Sequence, residues 1–512
     1  MKLRLTLLLF ALPFAAAPAH AKSPKPPAET GDAWYDGAEA ALAARKAVKP
    51  TGKKAKNVIL FIADGMDPTT VAAARIYDGQ SRGEEGEENL LSFERFPYLA
   101  MSKTYNTDAQ VSDSAGTMSA MSTGYKTRAG VISMKKEVVP GDCAASLGKE
   151  ATTFVEYAEM AGMATGVIST ANITHATPGA TYAHVPDRDW EGDARMPDRA
   201  RAEGCKDIAT QLIEFSYGDG VDLAMGGGRQ YFLPNDADDP EDAGRKGTRK
   251  DGRNLAAEWE AKSDAHHVIW NKVQFDAIDP ATNPRVLGLF ETSHMEFEAD
   301  RANDAGGEPS LEEMTKKAIE ILSRNPNGYV LMVEAGKVDH AHHMGNAARA
   351  LIDAQEYSQA VAAARAMTSE KDTLIIVTAD HGHTMTFAGY PAKGNPILGL
   401  VRERADNGDW VPTMAADGKP YTTLGYANGP GTVFKKDANL KNGRPAPTQE
   451  QATALDFLQP SLVPTGGETH GGQDVTIYVS GPDAQLFGGV VEQNYIFHVI
   501  NDALGLTDRA KK

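Results

Sequence analysis

Six short apolar runs, separated by turns and helix-forming stretches, restrict the fold of this chain more than any other feature. They are "NVILFIAD" (Asn57–Asp64), "GMATGVIST" ending at Thr170, "VDLAMGGG" ending at Gly228, "GYVLMVEAG" ending at Gly336, "DTLIIVTADH" ending at His381, and "QDVTIYVSG". Apolar side chains at successive positions describe a strand buried on both faces, whereas a strand with one wet face would alternate. Buried strands alternating with helices predict an α/β fold: a doubly wound, mostly parallel sheet sandwiched by helices. The 512 residues suit one large domain with insertions, or two domains. Two stretches read as loops: 234–253, rich in Asp and Gly, and 389–467, rich in Pro, Gly and Asn. The second is long enough to be an insertion subdomain.

The first 21 residues stand apart from this pattern. Lys2 and Arg4 precede a short apolar core, Leu5–Phe14, and "AHA" at 19–21 is a small-x-small cleavage site, so 1–21 reads as a secretory signal. Residues 22–56 read as an N-terminal arm, and 57–512 as the α/β domain. No later run is apolar for about 18 residues, so no membrane span is expected. An exported chain with a single cysteine pair predicts a Cys143–Cys205 disulfide, stabilising by roughly 4 kcal/mol in the chain-entropy model. The alternative is two separate buried thiols. Periplasm or secretion follows from the leader. The formal net charge is −17, with no basic stripe to neutralise phosphates, which argues against nucleic-acid partners. It leaves a phosphate substrate open, because bound metal ions reverse a local field.

Chemistry is expected where the strands stop, since open α/β sheets place their sites at the carboxyl ends of strands. Asp64, Glu334 and Asp380 each follow an apolar run, where a carboxylate is costly unless paired or bound to a cation. Each alone reads as a helix cap or an ion-pair partner; three at strand ends point to metal. "KVDHAHHMGN" adds Asp339, His340, His342 and His343. Asp339 and His343 are four apart and share a helical face, as two ligands of one ion would. His381 follows Asp380, and "ETHGG" places His470 on a loop before the last strand. His342 and His383 are read as non-ligands. In "THATPGATYAHVPDR", His175 and Thr177 are two apart and point the same way from an extended segment, and Arg188 offers a fork for two phosphate oxygens. In "VSDSAGTMSAMSTGYKT", Ser114 opens a helix of small residues, where free amides and the helix dipole favour an anion. Its plain alternative is an N-cap.

These motifs, "DSAGTMSAMSTG", "HATPGATYAHVPDR", "VEAGKVDHAHH", "TADHGH" and "ETHGG", resemble those of the alkaline phosphatases, in the same order from about Asn57 to Leu506. The resemblance implies two zinc ions, one magnesium ion and hydrolysis of phosphate monoesters through a phosphoserine. It also implies a small crown-like subdomain at the 389–467 insertion. By motif, Asp339, His343 and His470 would hold one zinc. Asp64, Asp380 and His381 would hold the second, with Ser114 as nucleophile. Asp64, Thr177 and Glu334 would hold magnesium. Arg188 would clamp phosphate, with Asp113 steadying it.

His175 and His340 stand where the enteric bacterial type has Asp and Lys, as in the animal branch; His340 is expected to be partly charged near neutrality. That branch binds a fourth ion, calcium. The matching positions are Glu241, the Phe290 carbonyl, Glu291 and Glu308, the last in place of Asp; an acidic loop without an ion is the other reading. Tyr390 matches a residue that reaches the partner's site, so a homodimer is the expected assembly. The rival functions are a phosphodiesterase or sulfatase of the same superfamily, or a non-catalytic secreted metal- or phosphate-binding protein. "SAGTM" lacks the C/S-x-P-x-R motif of sulfatases, and diesterases tend to lack the magnesium residues and the Arg clamp.

Overall fold

A computed structural model describes residues 46–50, 52, 54–431 and 444–511. Residues 1–21, read from the sequence as a leader, and most of the 22–56 arm lie outside the described residues. The chain divides into two compact units, Met1–Lys49 and Pro50–Lys512, and the sheet and the site both belong to the second.

The centre of that unit is a ten-stranded sheet. The strands are β1 (Asn57–Ala63), β2 (Tyr98–Lys103), β3 (Ala164–Asn172), β4 (Leu223–Gly227), β5 (His266–Ile269), β6 (Arg285–Leu289), β7 (Tyr329–Ala335), β8 (Thr373–Thr378), β9 (Val475–Ser480) and β10 (Val490–Glu492). Their spatial order is β10-β2-β9-β8-β1-β7-β3-β4-β6-β5. β1 lies between β7 and β8, parallel to both, with Val58 opposite Val330 and Leu374. The sheet is otherwise parallel except at β9, which runs antiparallel to both β8 and β2. "QDVTIYVSG" therefore belongs to the sheet but does not continue the parallel series. Four strands escape the hydrophobic reading. β5 and β10 are short, β6 is interrupted by Gly288, and β2 is only partly buried.

Burial on both faces is visible along β1. Val58, Leu60 and Ile62 join one core, and Ile59, Phe61 and Ala63 join the other. The main helices are α1 (Pro68–Ser81), α2 (Ser114–Thr123), α3 (Phe154–Met160), α4 (Leu311–Leu322), α5 (Lys337–His343), α6 (Ala347–Met367) and α7 (Tyr495–Leu504). The first core takes in α2, α3 and α7, and the second α1, α4 and α6. The period-two pleat thus sorts one apolar run into two helical layers.

Within the 389–467 stretch, Arg402–Arg404 pairs with Trp410–Pro412. Leu424–Gly429 pairs with Met385–Phe387 on one side and Ser461–Pro464 on the other. Cys143 and Cys205 form the expected disulfide, 62 residues apart in sequence. Among the described residues, no helix is long and apolar enough to cross a membrane.

Candidate active site

The site lies where β1, β7 and β8 end and the following turns begin. Asp64 is the residue after β1, Glu334 lies near the end of β7, and Asp380 and His381 follow β8. Gly65 makes this close approach possible: its φ is +75°, and a Cβ there would lie 2.3 Å from His383 Cδ2. Asp64, Glu334, Asp380 and His381 have no exposed surface, and Asp339 is 4% exposed.

Asp339 and His343 sit one turn apart on α5, as their spacing predicts. The nitrogens His343 Nε2 and His470 Nε2 each lie 3.3 Å from Asp339 Oδ1, and 3.1 Å from each other. The other ring nitrogens are committed: His343 Nδ1 donates to the Glu468 carbonyl at 2.6 Å, and His470 Nδ1 to the Ser112 carbonyl at 2.7 Å. With the protons on Nδ1 alone, two Nε2 lone pairs would face each other across 3.1 Å, so the arrangement calls for either a proton shared with Asp339 or a cation among these atoms.

A second convergence surrounds His381 Nε2. It is 3.1 Å from Ser114 Oγ, 3.2 Å from Asp64 Oδ1 and 3.3 Å from Asp380 Oδ2. Asp380 also accepts from the backbone of Gly65 at 3.1 Å and from Thr117 Oγ1 at 3.3 Å. Neither oxygen of Asp64 has a hydrogen bond, nor does Glu334 Oε1 or Thr177 Oγ1, although all are buried. Orphaned buried oxygens are rare and expensive. Burial, followed by the charges of Asp380, Asp339 and Glu334, pushes Asp64 well above the usual carboxylate range. Burial raises Glu334 to about 8, against the Ser169 hydroxyl that holds it down. Asp339 goes the other way. Burial favours its neutral form, yet hydrogen bonds from His343, His383 and His470 hold it well below its ordinary value.

Candidate ligand atoms lie within 4.8 Å of one another in four groups: Asp64–Asp380–His381, Asp64–His175–Glu334, Asp339–His381–His383–His470 and His343–His383–Glu468. Oxygen and imidazole donors in these sets suit hard and borderline divalent cations.

Ser114 is the first residue of α2 and is 2% exposed. It is not the cap. Asp113 caps α2, accepting from Gly116 N at 3.1 Å. Its other oxygen accepts from Gly130 N at 2.9 Å and from Arg188 Nη1 at 3.2 Å. Gly116 is required by packing, since a Cβ would sit 1.7 Å from Asn106 Nδ2. The second fork arm of Arg188, Nη2, lies 3.1 Å from His175 Nε2. His175 and Thr177 do not share an extended strand as predicted: His175 precedes the short helix Ala176–Gly179, which contains Thr177.

Four other histidines pack around these groups. His383, read as a non-ligand, places Nε2 2.8 Å from Asp339 Oδ1 and Nδ1 2.6 Å from Glu468 Oε2. Burial works against its charge, but Asp339 and Glu468 raise it to about 10. His340 is not partly charged near neutrality: burial lowers it to about 4, with Lys337 adding repulsion and Asp339 opposing. His294, absent from the sequence-based expectations, packs its ring 4.3 Å from His340 and 5.3 Å from His175. His342 is consumed internally, with Nε2 3.2 Å from Thr70 Oγ1 and Nδ1 2.8 Å from the Tyr426 hydroxyl.

Of the positions expected to bind calcium, Glu241 and Glu291 line one cavity with Asp242 and Asp304, and Glu241 Oε1 and Glu308 Oε2 are buried without a hydrogen bond. None of the close ligand groups among the described residues contains Glu241, Glu291 or Glu308. Glu241 Oε2 accepts from buried Arg229 at 2.7 Å, and the Phe290 ring packs in the core. Burial raises Glu291 to about 8 and Glu308 to about 9, with Asp304 adding to both.

The family model for alkaline phosphatase matches residues 55–506. Alkaline phosphatase from Gadus morhua is 42% identical over 478 residues, covering 91% of this chain and 95% of that protein. The tissue-nonspecific isozyme from Homo sapiens is 42% identical over 476 residues, covering 91% and 87% respectively. Among solved structures, Thermus thermophilus alkaline phosphatase superposes with a TM-score of 0.62 at 24% identity, over 90% of this chain and 93% of that one. The enzyme from the Antarctic bacterium TAB5 gives 0.58 at 21% identity, over 88% and 98%.

Proposed function

The chain belongs to the alkaline phosphatase family, and from that premise we propose that it hydrolyses phosphate monoesters through a phosphoserine on Ser114, at a site holding two zinc ions and one magnesium ion. One observation carries the metal reading: Asp64, buried, leaves both carboxylate oxygens without a hydrogen bond beside two further buried acids. Asp339, His343 and His470 would hold one zinc, and Asp64, Asp380 and His381 the other. Asp64, Thr177 and Glu334, whose free atoms are oxygens, would hold magnesium. When bound, such ions act as Lewis acids, lowering the pKa of a hydroxyl or water and neutralising charge on phosphoryl oxygens.

The residues of the chain supply the rest. The amino end of α2 carries Ser114, with Oγ 3.1 Å from His381 Nε2, and favours its oxyanion. Ser114 Oγ attacks phosphorus in line; the new Oγ–P bond forms as the bond to the leaving oxygen breaks. Arg188, steadied by Asp113, offers its guanidinium to two non-bridging oxygens and gains there as charge spreads in the transition state. Water then cleaves the phosphoserine and regenerates the hydroxyl. The Nδ1 donations of His343 and His470 keep their Nε2 lone pairs turned inward.

A homodimer fits the 93% exposure of Tyr390, a large aromatic side chain left in solvent by the single chain. Export to the periplasm or outside the cell fits the leader-like start and the disulfide. The deciding experiment is metal analysis of the purified protein beside rates on a chromogenic monoester, a diester and a sulfate ester. Zinc near two equivalents with a dominant monoesterase rate supports the reading. A dominant diester or sulfate rate, or none, overturns it.

A further inference from the structure

Glu468 lies where the 389–467 stretch rejoins the sheet, two residues before His470, and is 2% exposed. It grips two other segments of the site. Its backbone N–H donates to the His343 carbonyl at 2.9 Å, and its own carbonyl accepts from His343 Nδ1 at 2.6 Å. Its carboxylate is divided between two tasks. Oε2 accepts from His383 Nδ1 at 2.6 Å, and Oε1 accepts from the backbone N–H and the hydroxyl of Thr384, both at 2.6 Å. The far side of the His383 ring meets Asp339 Oδ1 at 2.8 Å. A short antiparallel pairing sets His470 opposite His383.

One residue therefore acts on every member of the Asp339, His343 and His470 group. It fixes the His343 ring through its main chain. It reaches Asp339 through the His383 ring, and it shares a short segment with His470. We infer that the side chain of Glu468 positions this group and sets how tightly it binds its cation, by holding the His383 ring against Asp339 and so fixing the direction of the Asp339 carboxylate. The inference rests on the proposed zinc occupancy of that group.

The chemistry requires a glutamate. Both oxygens are acceptors in use, so an amide would turn its N–H₂ toward a donor, either His383 Nδ1–H or the Thr384 N–H. Alanine would strand all three donors, His383 Nδ1–H and the N–H and hydroxyl of Thr384, in the interior. Partners behind a metal ligand are worth about 10- to 100-fold in metal affinity in general.

The test uses the full mature enzyme as wild type, Glu468→Ala, Glu468→Gln and Thr384→Val, with zinc alone as probe in competition against a chromogenic chelator. Circular dichroism monitors folding. The expected result is two classes of zinc in the wild type. In Glu468→Ala one class should weaken by about 10- to 100-fold while the other keeps its affinity. Glu468→Gln should fall between, and Thr384→Val should show a smaller loss in the same class. The rate at saturating zinc should recover to within a few-fold of wild type. Wild-type affinity in both classes overturns the inference while leaving the two-zinc reading intact. Equal weakening of every ion also overturns it, since that marks general loosening. A wild type that binds no zinc overturns the metal reading itself. Should Glu468→Ala not fold, Glu468→Gln and Thr384→Val give the same decision.

Discussion

Removing the metal ions should make the protein less stable as pH rises, and the structure sets the size of the effect. Glu334 titrates near 4.5 in an unfolded chain and at about 8 when folded, chiefly because it is buried. For an acid raised by folding, the unfolded state loses its proton first. Between pH 4.5 and about 8 the folded state therefore binds more protons, and stability falls as pH rises. At about 1.4 kcal/mol per pH unit, Glu334 alone withdraws at most roughly 5 kcal/mol across that window. Asp64 and Asp380, also raised first by burial, act in the same direction, and Asp339, held low, acts against them at more acid pH. An unfolding entropy of about 2.1 cal/mol/K per residue, over roughly 450 residues, gives about 1 kcal/mol/K, so Tm should drop by about 3–5 °C. Bound cations reverse the sign at these groups, because ligands must be deprotonated to bind and binding stabilises the folded state. Glu159 and Glu308, each raised by burial to about 9, lie outside the ligand set and tilt both forms alike. The decisive quantity is therefore the difference between scans of chelator-treated and metal-loaded protein from about pH 5 to 8. Equal slopes in the two forms would refute the reasoning.

Ser114→Ala should abolish acid-trapped labelled phosphoenzyme and cut the monoesterase rate by several orders of magnitude; label on another residue would disprove the assignment. Arg188→Ala should weaken inhibition by inorganic phosphate by about 10- to 100-fold, the worth of charge-assisted hydrogen bonds, with zinc content unchanged by metal analysis. His175→Asp should tighten magnesium by at least about tenfold in a titration of chelated enzyme. It puts a negative charge where burial keeps the imidazole neutral, and the divalent cation's attraction for that charge outweighs its repulsion by Asp64 and Glu334, whose ligand atoms lie within 4.8 Å. Replacing Cys143 and Cys205 by serine reopens a loop of 62 residues and should cost roughly 4 kcal/mol, read from denaturant unfolding.

The two-sided apolar runs made the central strands legible, because both faces of β1, β7 and β8 are buried and their polar residues fall only at or near the strand ends. The direction of β9 was not legible. A strand buried on both faces reads alike whichever way it runs, and its neighbours decide. Sheet edges were lost for a different reason: β10 has three residues that are half-buried or exposed, and β5 begins with two histidines. In the site, spacing carried the α5 pair, and strand ends carried Asp64, Glu334 and Asp380. Long-range pairings such as His470 with His383, or Asp113 with Arg188, span 75 residues or more and follow from topology alone. Glu468 stood in plain view in "ETHGG", but nothing in sequence tells a carboxylate that orients a ligand from one on the surface.

The insertion is bound into this arrangement at its neck. His383 precedes it and Glu468 follows it, and their 2.6 Å contact closes the long loop between them. Loop-closure cost grows only with the logarithm of length, so the insertion can vary in size at little expense once that neck is fixed. A second tie lies further in, where the Tyr426 hydroxyl meets His342 on α5 one residue before His343. His342 has its other nitrogen on Thr70 of α1, so α1, α5 and the insertion share one buried imidazole. Charge and geometry are thereby separated in the HAHH segment. His343 faces Asp339 and His470, while His342, uncharged because burial first and then His383 lower its pKa, ties the helix that carries it to the insertion. A histidine cluster that looks like a single metal motif in sequence is, in three dimensions, two functions on adjacent faces of one helix turn.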